Sequence, residues 1–279
     1  MSYRLSKTLA CACILAAVPS GLFAVDGVVL ISQPGSAQGF PIVISQPGSY
    51  RLDSNLVVPD ANTTAIQITA SNVNLDLNGF GIFGPTVCSG SPATSCTPSG
   101  SGTGVLATNP PSGTSTPGEI SVFNGTVHGM GNFGIFILGP GRAENINADS
   151  NGSTGIAVTG TVLKCVATRN GSLGIAARIV NDSLAVQNAS SGMEILASGT
   201  GNSAILNHAD GIVVFRATIS ANSAFLNQGD GINAMCPSIV LFSAATHSTG
   251  NDIVLNSIGP DTCASFNNAS NKPAVIITN

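Results

Sequence analysis

The segment AFLNQGDGI, Ala224–Ile232, repeats a pattern that the chain has already used four times. Twenty residues earlier it reads AILNHADGI (Ala204–Ile212), preceded by AVQNASSGM (Ala185–Met193), ATRNGSLGI (Ala167–Ile175) and ADSNGSTGI (Ala148–Ile156). Asn always follows Ala by three residues, and Gly follows Asn by four: Asn151/Gly155, Asn170/Gly174, Asn188/Gly192, Asn207/Gly211 and Asn227/Gly231. Two weaker copies follow, AATH at Ala244 and ASFN at Ala264, and the Ala anchors are spaced by 18 to 20 residues. Self-similarity at this period marks a stacked solenoid, in which each unit buries its apolar face against its neighbours.

The unit is a strand unit. The residue after each Gly is Ile156, Ile175, Met193, Ile212 or Ile232, and two further on stand Val158, Ala177, Ile195, Val214 and Ala234. Variable residues lie between them, so the period is two and one face is buried. A second apolar column precedes the Asn by eight residues: Val162, Val180, Ile219 and Ile239, interrupted by Gly199. A copy of about 20 residues leaves no room for a helix beside several strands. The expected fold is therefore all-β, a parallel β-helix with coils of about 20 residues. In such a stack equivalent residues sit about 4.8 Å apart. Asn151, Asn170, Asn188, Asn207 and Asn227 then form a ladder of side-chain amides bonded coil to coil. The Gly is expected to supply a backbone conformation hostile to a β-carbon, and the Ala to fill a tight corner.

The segment SYRLDSNLVVPDANTTAIQITASNVNLDLNGFGIFG (Ser49–Gly84) resembles the entry region of one group of right-handed parallel β-helix proteins, and the later coils resemble their generic rungs. The resemblance is to the pectate-lyase-like superfamily, with its secreted bacterial members, and covers about residues 50–279. It implies a right-handed single-stranded β-helix and leaves activity open, because the shared motif is the coil itself. The polygalacturonase-type set of Asn-Thr-Asp, Asp-Asp, Gly-His-Gly and Arg-Ile-Lys is missing; VHG at Val127–Gly129 is its nearest fragment.

Around the repeats, the chain divides into three parts. Residues 1–24 read as a signal peptide: Arg4 and Lys7, the apolar run Leu9–Val18, then small residues up to a cut after Ala24. Residues 25–60, with the duplicated ISQPGS, are expected to cap the stack. The β-helix proper is assigned to 61–279, with Pro/Ser/Thr/Gly-rich inserts near 85–103 and 109–118. Loops on a rigid scaffold are common carriers of function.

Composition limits the partners. Only 8% of residues are charged. Without residues 1–24 the chain carries 7 basic and 13 acidic residues, and lacks the basic stripe that nucleic acid requires. The apolar run at the start is too short to span a bilayer. The expected address is secreted or cell-surface, where disulfides form. Cys88 with Cys96 is the first pair and Cys236 with Cys263 the second, leaving Cys165 as a buried small side chain; no zinc-ligand spacing occurs and no metal is expected.

Two functions follow. One is an exported non-catalytic scaffold or binding protein that recognises extracellular polysaccharide or a surface protein. The other is a polysaccharide lyase or glycoside hydrolase, with its acids on one corner of the coils. Asp210 and Asp230 both precede the repeat Gly, Asp252 precedes Ile253, and His247 takes the Asn position of its copy. Paired carboxylates suit glycosidic hydrolysis, and Ca²⁺ enters only under the lyase alternative. Asp before Gly equally suits a turn whose backbone it caps, and the scaffold reading takes precedence. Arg178 and Arg216 read as surface partners of Glu194. Trp is absent, so sugar stacking has few aromatic surfaces to use.

Overall fold

The computed structural model describes residues 27–108, 119–257 and 261–278. The expected signal peptide and the insert near 109–118 lie outside the described residues.

The chain winds through about 11 turns of about 21 residues. Each full turn contributes one strand to each of three parallel ladders. The first runs from Ile42–Ile44 through Ile66–Ile68, Val105–Ala107 and Ile135–Ile137 to Ile253–Ser257 and Val275–Thr278. The second begins at Val28–Ile31 and Gly48–Leu52 and ends at Ala264–Phe266; the third runs from Leu56–Val57 to Ala269–Ser270. The alternation seen in the sequence becomes the register. Ile156, Ile175, Met193, Ile212 and Ile232 pair in succession, and Val158, Ala177, Ile195, Val214 and Ala234 do the same two residues on. All ten are buried. Burying one such aliphatic side chain stabilises by roughly 1.5–3 kcal/mol, against about 1 kcal/mol net for one hydrogen bond. A buried aliphatic therefore contributes more than a single hydrogen bond does, while the polar columns fix the register.

The segment 25–60 is itself a coil in its described part. Val28–Ile31 pairs with Gly48–Leu52, and Ile42–Ile44 with Ile66–Ile68. Residues 85–103 hold an antiparallel hairpin, Val87–Gly90 with Ala93–Thr97, closed by the Cys88–Cys96 disulfide. Cys236 is bonded to Cys263, and Cys165 is a buried free thiol.

Two expectations about the last coils need correction. Ala224 pairs with Ala245, not Ala244, and Ile219 pairs with Val240, not Ile239. Ile239 is 39% exposed, while Val240 is fully buried. The cause is one additional residue in the turn holding Cys236 and Pro237: Phe215 pairs with Met235, but Thr218 pairs with Ile239. Ala264 leaves the Ala column altogether and lies on the second ladder opposite Ile239, the Ala position passing to Ser270.

Candidate functional site: a trench along the first corner

The corner joining the first ladder to the second carries a run of adjoining depressions that together form a trench. Its centre, about 400 Å³, is lined by Asn72, Asn74, Glu119, Ser121, Pro140 and Arg142. Sharing Asn74, Ser121 and Arg142, it opens onto the second ladder as a pocket of about 190 Å³ that adds Phe123 and Glu144. Sharing Pro140, it continues the other way as a hollow of about 500 Å³ beside Leu138, Thr159, Gly160 and Arg178. These residues belong to five consecutive coils, so the trench follows the solenoid axis for about 19 Å at the strand spacing.

Glycine lets successive coils close up at this corner. A β-carbon on Gly160 would collide with the carbonyl oxygen of Gly141, and one on Gly141 would stand 2.6 Å from Ile137. The side chains that remain are mostly polar and point outward in register. Asn74 faces Ser121 and then Arg142; Asp76 faces Phe123 and then Glu144. Arg142 Nη2 donates to Glu144 Oε2 at 2.6 Å, and Arg51 Nε lies 3.4 Å from Asp76 Oδ2. Both carboxylates are thus engaged by guanidiniums, an arrangement suited to fixed hydrogen-bond acceptance. Arg178 is exposed and makes no ion pair among the described residues. It does not pair with Glu194, as the sequence suggested, and Arg216 lies 4.0 Å from Asp261 instead. Burial pushes the half-buried Glu194 carboxyl above its ordinary pKa.

The acids singled out in the sequence lie elsewhere, at the corner joining the third ladder to the first. Asp210 Oδ1 accepts the backbone N–H of Asp230 at 2.7 Å, and its Oδ2 accepts from Asn233 Nδ2 at 3.0 Å. Asp230 Oδ1 accepts the backbone N–H of Asn251 at 2.7 Å. Each carboxylate therefore bonds to the turn one coil on. Asp252 does not continue this column. It stands in the glycine position, fully buried, with Oδ2 accepting from the backbone of Asn271 and Lys272 and Oδ1 without a partner. His247 does not hold the Asn position; the added residue near Cys236 gives that place to Ser248. His247 is exposed, edge-on to Phe225 at 5.2 Å.

The Asn ladder is present as expected. The backbone N–H and Nδ2 of Asn170 both donate to Asn188 Oδ1 at 3.0 Å, and the same pair of bonds links Asn151 to Asn170, Asn188 to Asn207 and Asn207 to Asn227. The reason for the glycines differs from the expectation. Among these turns the left-handed residue is the one before Asn, such as Ser150, Arg169, Gln187, Leu206 or Leu226. The glycines instead make room: a β-carbon on Gly155, Gly174, Gly192 or Gly211 would stand 2.6 or 2.7 Å from the Asn Nδ2 of the next coil.

The sequence reading missed two polar features. One is a second ladder, in which Asn202 donates through its backbone N–H and Nδ2 to Asn222 Oδ1, with Ser183 and Ser243 as its neighbours. Its signal is a polar residue two before the aligned Ala. The other is on the third ladder. His128 Nδ1 lies 2.9 Å from Asp149 Oδ2, and Arg169 Nη2 donates to both oxygens of Asp149 at 3.2 Å. Burial raises the Asp149 pKa, but the His128 hydrogen bond and the Arg169 charge outweigh it and hold the carboxyl below its ordinary range. These three residues lie on separate coils, and no local motif joins them.

Known structures share this architecture. The A-module of the Azotobacter vinelandii mannuronan C-5 epimerase AlgE4 superposes with a TM-score of 0.63 at 13% identity, covering 91% of this chain and 81% of that one. The fold is that of the parallel β-helix. The AlgE6 A-module from the same organism gives 0.55 at 12% identity, covering 88% of this chain and 89% of that one. No protein-family model matches the chain, and no curated protein matches it in sequence. At this identity the β-helix likeness is one of scaffold. Among the described residues no helix is long and apolar enough to cross a membrane, and no group of three His, Cys, Asp or Glu is placed to hold a metal ion.

Proposed function

We propose that this is an exported, non-catalytic β-helix protein that binds a polysaccharide chain along the first-corner trench. The observation carrying this reading is the trench itself: an open furrow over five coils that mixes amides and hydroxyls with four charged side chains, Glu119, Arg142, Glu144 and Arg178, and with apolar surface. An extended polymer fits an open furrow, whereas a small metabolite requires an enclosed pocket. Asn72, Asn74 and Ser121 offer donors and acceptors to sugar hydroxyls, and Phe123 offers one apolar face. The two fold neighbours are named for a reaction on mannuronan, which is compatible with a polymer ligand. Export rests on the N-terminal segment and is supported by the two disulfides.

The bonds that Asp210 and Asp230 make to turn backbone support a capping role for them. The test is affinity electrophoresis of the purified chain against neutral and acidic polysaccharides, with and without Ca²⁺. Retardation by at least one polymer, weakened about tenfold or more in Arg142→Ala/Arg178→Ala, is expected. Retardation unchanged by that double substitution overturns the trench. Depolymerisation abolished by Asp230→Asn favours the lyase or hydrolase alternative.

A further inference from the structure

A second place on the molecule has the makings of a saccharide contact, and it lies on the third ladder, away from the trench. Phe83, His128 and Asp149 are consecutive outward-facing residues in register. Thr168 is next, followed in the chain by Arg169. Phe83 does not stand off the sheet. A β-carbon on Gly81 would collide with both Cε2 and Cζ of the Phe83 ring, so the ring lies down over that glycine. Its centroid is 6.3 Å from that of His128. Val57 precedes Phe83 in the same row and is exposed, extending the apolar surface by one coil.

The polar half of the row is rigidly set. Asp149 is ionised, because its pKa is held low, and so can only accept. Nδ1 of His128 must then carry the proton in their 2.9 Å bond. That fixes the tautomer and leaves Nε2, which has no partner among the described residues, as the ring's free polar atom. Arg169 is pinned by its fork on Asp149. The disulfide hairpin lies alongside. Directly after Phe83 the chain enters the disulfide hairpin, anchored along the adjoining corner: Thr86 N–H donates to Gly129 O, Cys88 Sγ lies 3.6 Å from Asn151 O, and Gln187 Nε2 donates to Ser91 Oγ.

We propose that Phe83 and His128 form a second glycan-contact site, taking one glycosyl unit. The sugar's apolar C–H face rests on the Phe83 ring, and a ring hydroxyl bonds to His128 Nε2. A flat aromatic surface beside a preorientated polar group is the combination that pyranose rings require, since they are apolar on one face and hydroxylated at the edge. Asp149 and Arg169 position the imidazole. The inference stands apart from the trench, and with both sites the solenoid would hold two chains on different sides.

The experiment is NMR titration of protein labelled at Phe and His with a panel of neutral and uronate hexasaccharides. It uses the wild type, the trench variant Arg142→Ala/Arg178→Ala, and Phe83→Leu, which retains an apolar cover over Gly81 without a flat ring. The expected result is a saturable shift of the His128 Cε1–H signal with at least one oligosaccharide in both wild type and trench variant. In Phe83→Leu the affinity read from that signal falls about tenfold or more, while the His247 signal is unmoved throughout. No shift of His128 with any panel member overturns the site. A shift seen in the wild type but abolished in the trench variant also overturns it, as a separate site. Failure of the trench alone leaves the His128 response intact.

Discussion

Ser248→Asn should extend the Asn ladder by one rung and stabilise the protein. Ser248 occupies the ladder position below Asn227, but its Oγ is buried without a partner. Asn227 therefore lacks the acceptor that every earlier rung supplies to its backbone N–H and Nδ2. The room for a longer side chain is present, because Gly231 has no β-carbon; one placed there would stand 3.2 Å from Ser248 Oγ. Asn227 itself receives two bonds from Asn207 and gives one to Ala204 O. By analogy, the amide introduced by Ser248→Asn would accept two bonds from Asn227 and donate one to Ala224 O. The remaining Nδ2 proton points to the next level. Asp252, four residues on in the glycine column, holds a buried Oδ1 without a partner that could accept it. Three or four bonds at about 0.5–1.5 kcal/mol net each, less about 1 kcal/mol for ordering the side chain, give a gain of about 2 kcal/mol. That corresponds to a rise in Tm of roughly 4–8 °C for a chain of this size. Thermal unfolding followed by circular dichroism measures it. A Tm that is unchanged or lowered would refute the positional equivalence of Ser248 with the ladder Asn.

Breaking the ladder should cost more than extending it gains. Asn188→Ala strands the backbone N–H and Nδ2 of Asn170 and the carbonyl of Ala167, a loss of about 3–5 kcal/mol in urea unfolding; a loss under about 1 kcal/mol, the net worth of a single hydrogen bond, would mean that neighbouring coils close the gap. Glu194→Gln should raise the unfolding midpoint at pH 7 and leave it unchanged at pH 3. Burial raises the folded-state pKa of Glu194, so stability falls as pH climbs from its unfolded pKa through its folded one, and an equal effect at both pH values would exclude ionisation as the cause. Cys165, whose thiol burial pushes up to about 11, should resist a thiol reagent at pH 8 in the folded protein and react within minutes in denaturant; prompt labelling of the native chain would contradict its burial.

The sequence alone determined the coil, its period and its ladder. Ile at every second position and Asn at every nineteenth or so can be satisfied together only if like residues stack, so the strands, the first apolar columns and both disulfides were legible. Three things came from the tertiary structure. Register after Cys236 depended on one added residue, which moved His247 out of the ladder and put Ser248 in; only strand pairing detects such a slip, because AATH matches the repeat as well as its neighbour does. The role of the glycines depended on what lies one coil away: a backbone explanation and a steric one predict the same residue. The trench and the His128–Asp149–Arg169 group are built from residues some 20 positions apart, each unremarked in its own coil. A solenoid writes its scaffold along the chain and its surface across it, since the step of about 4.8 Å between coils joins residues that the sequence holds a full turn apart.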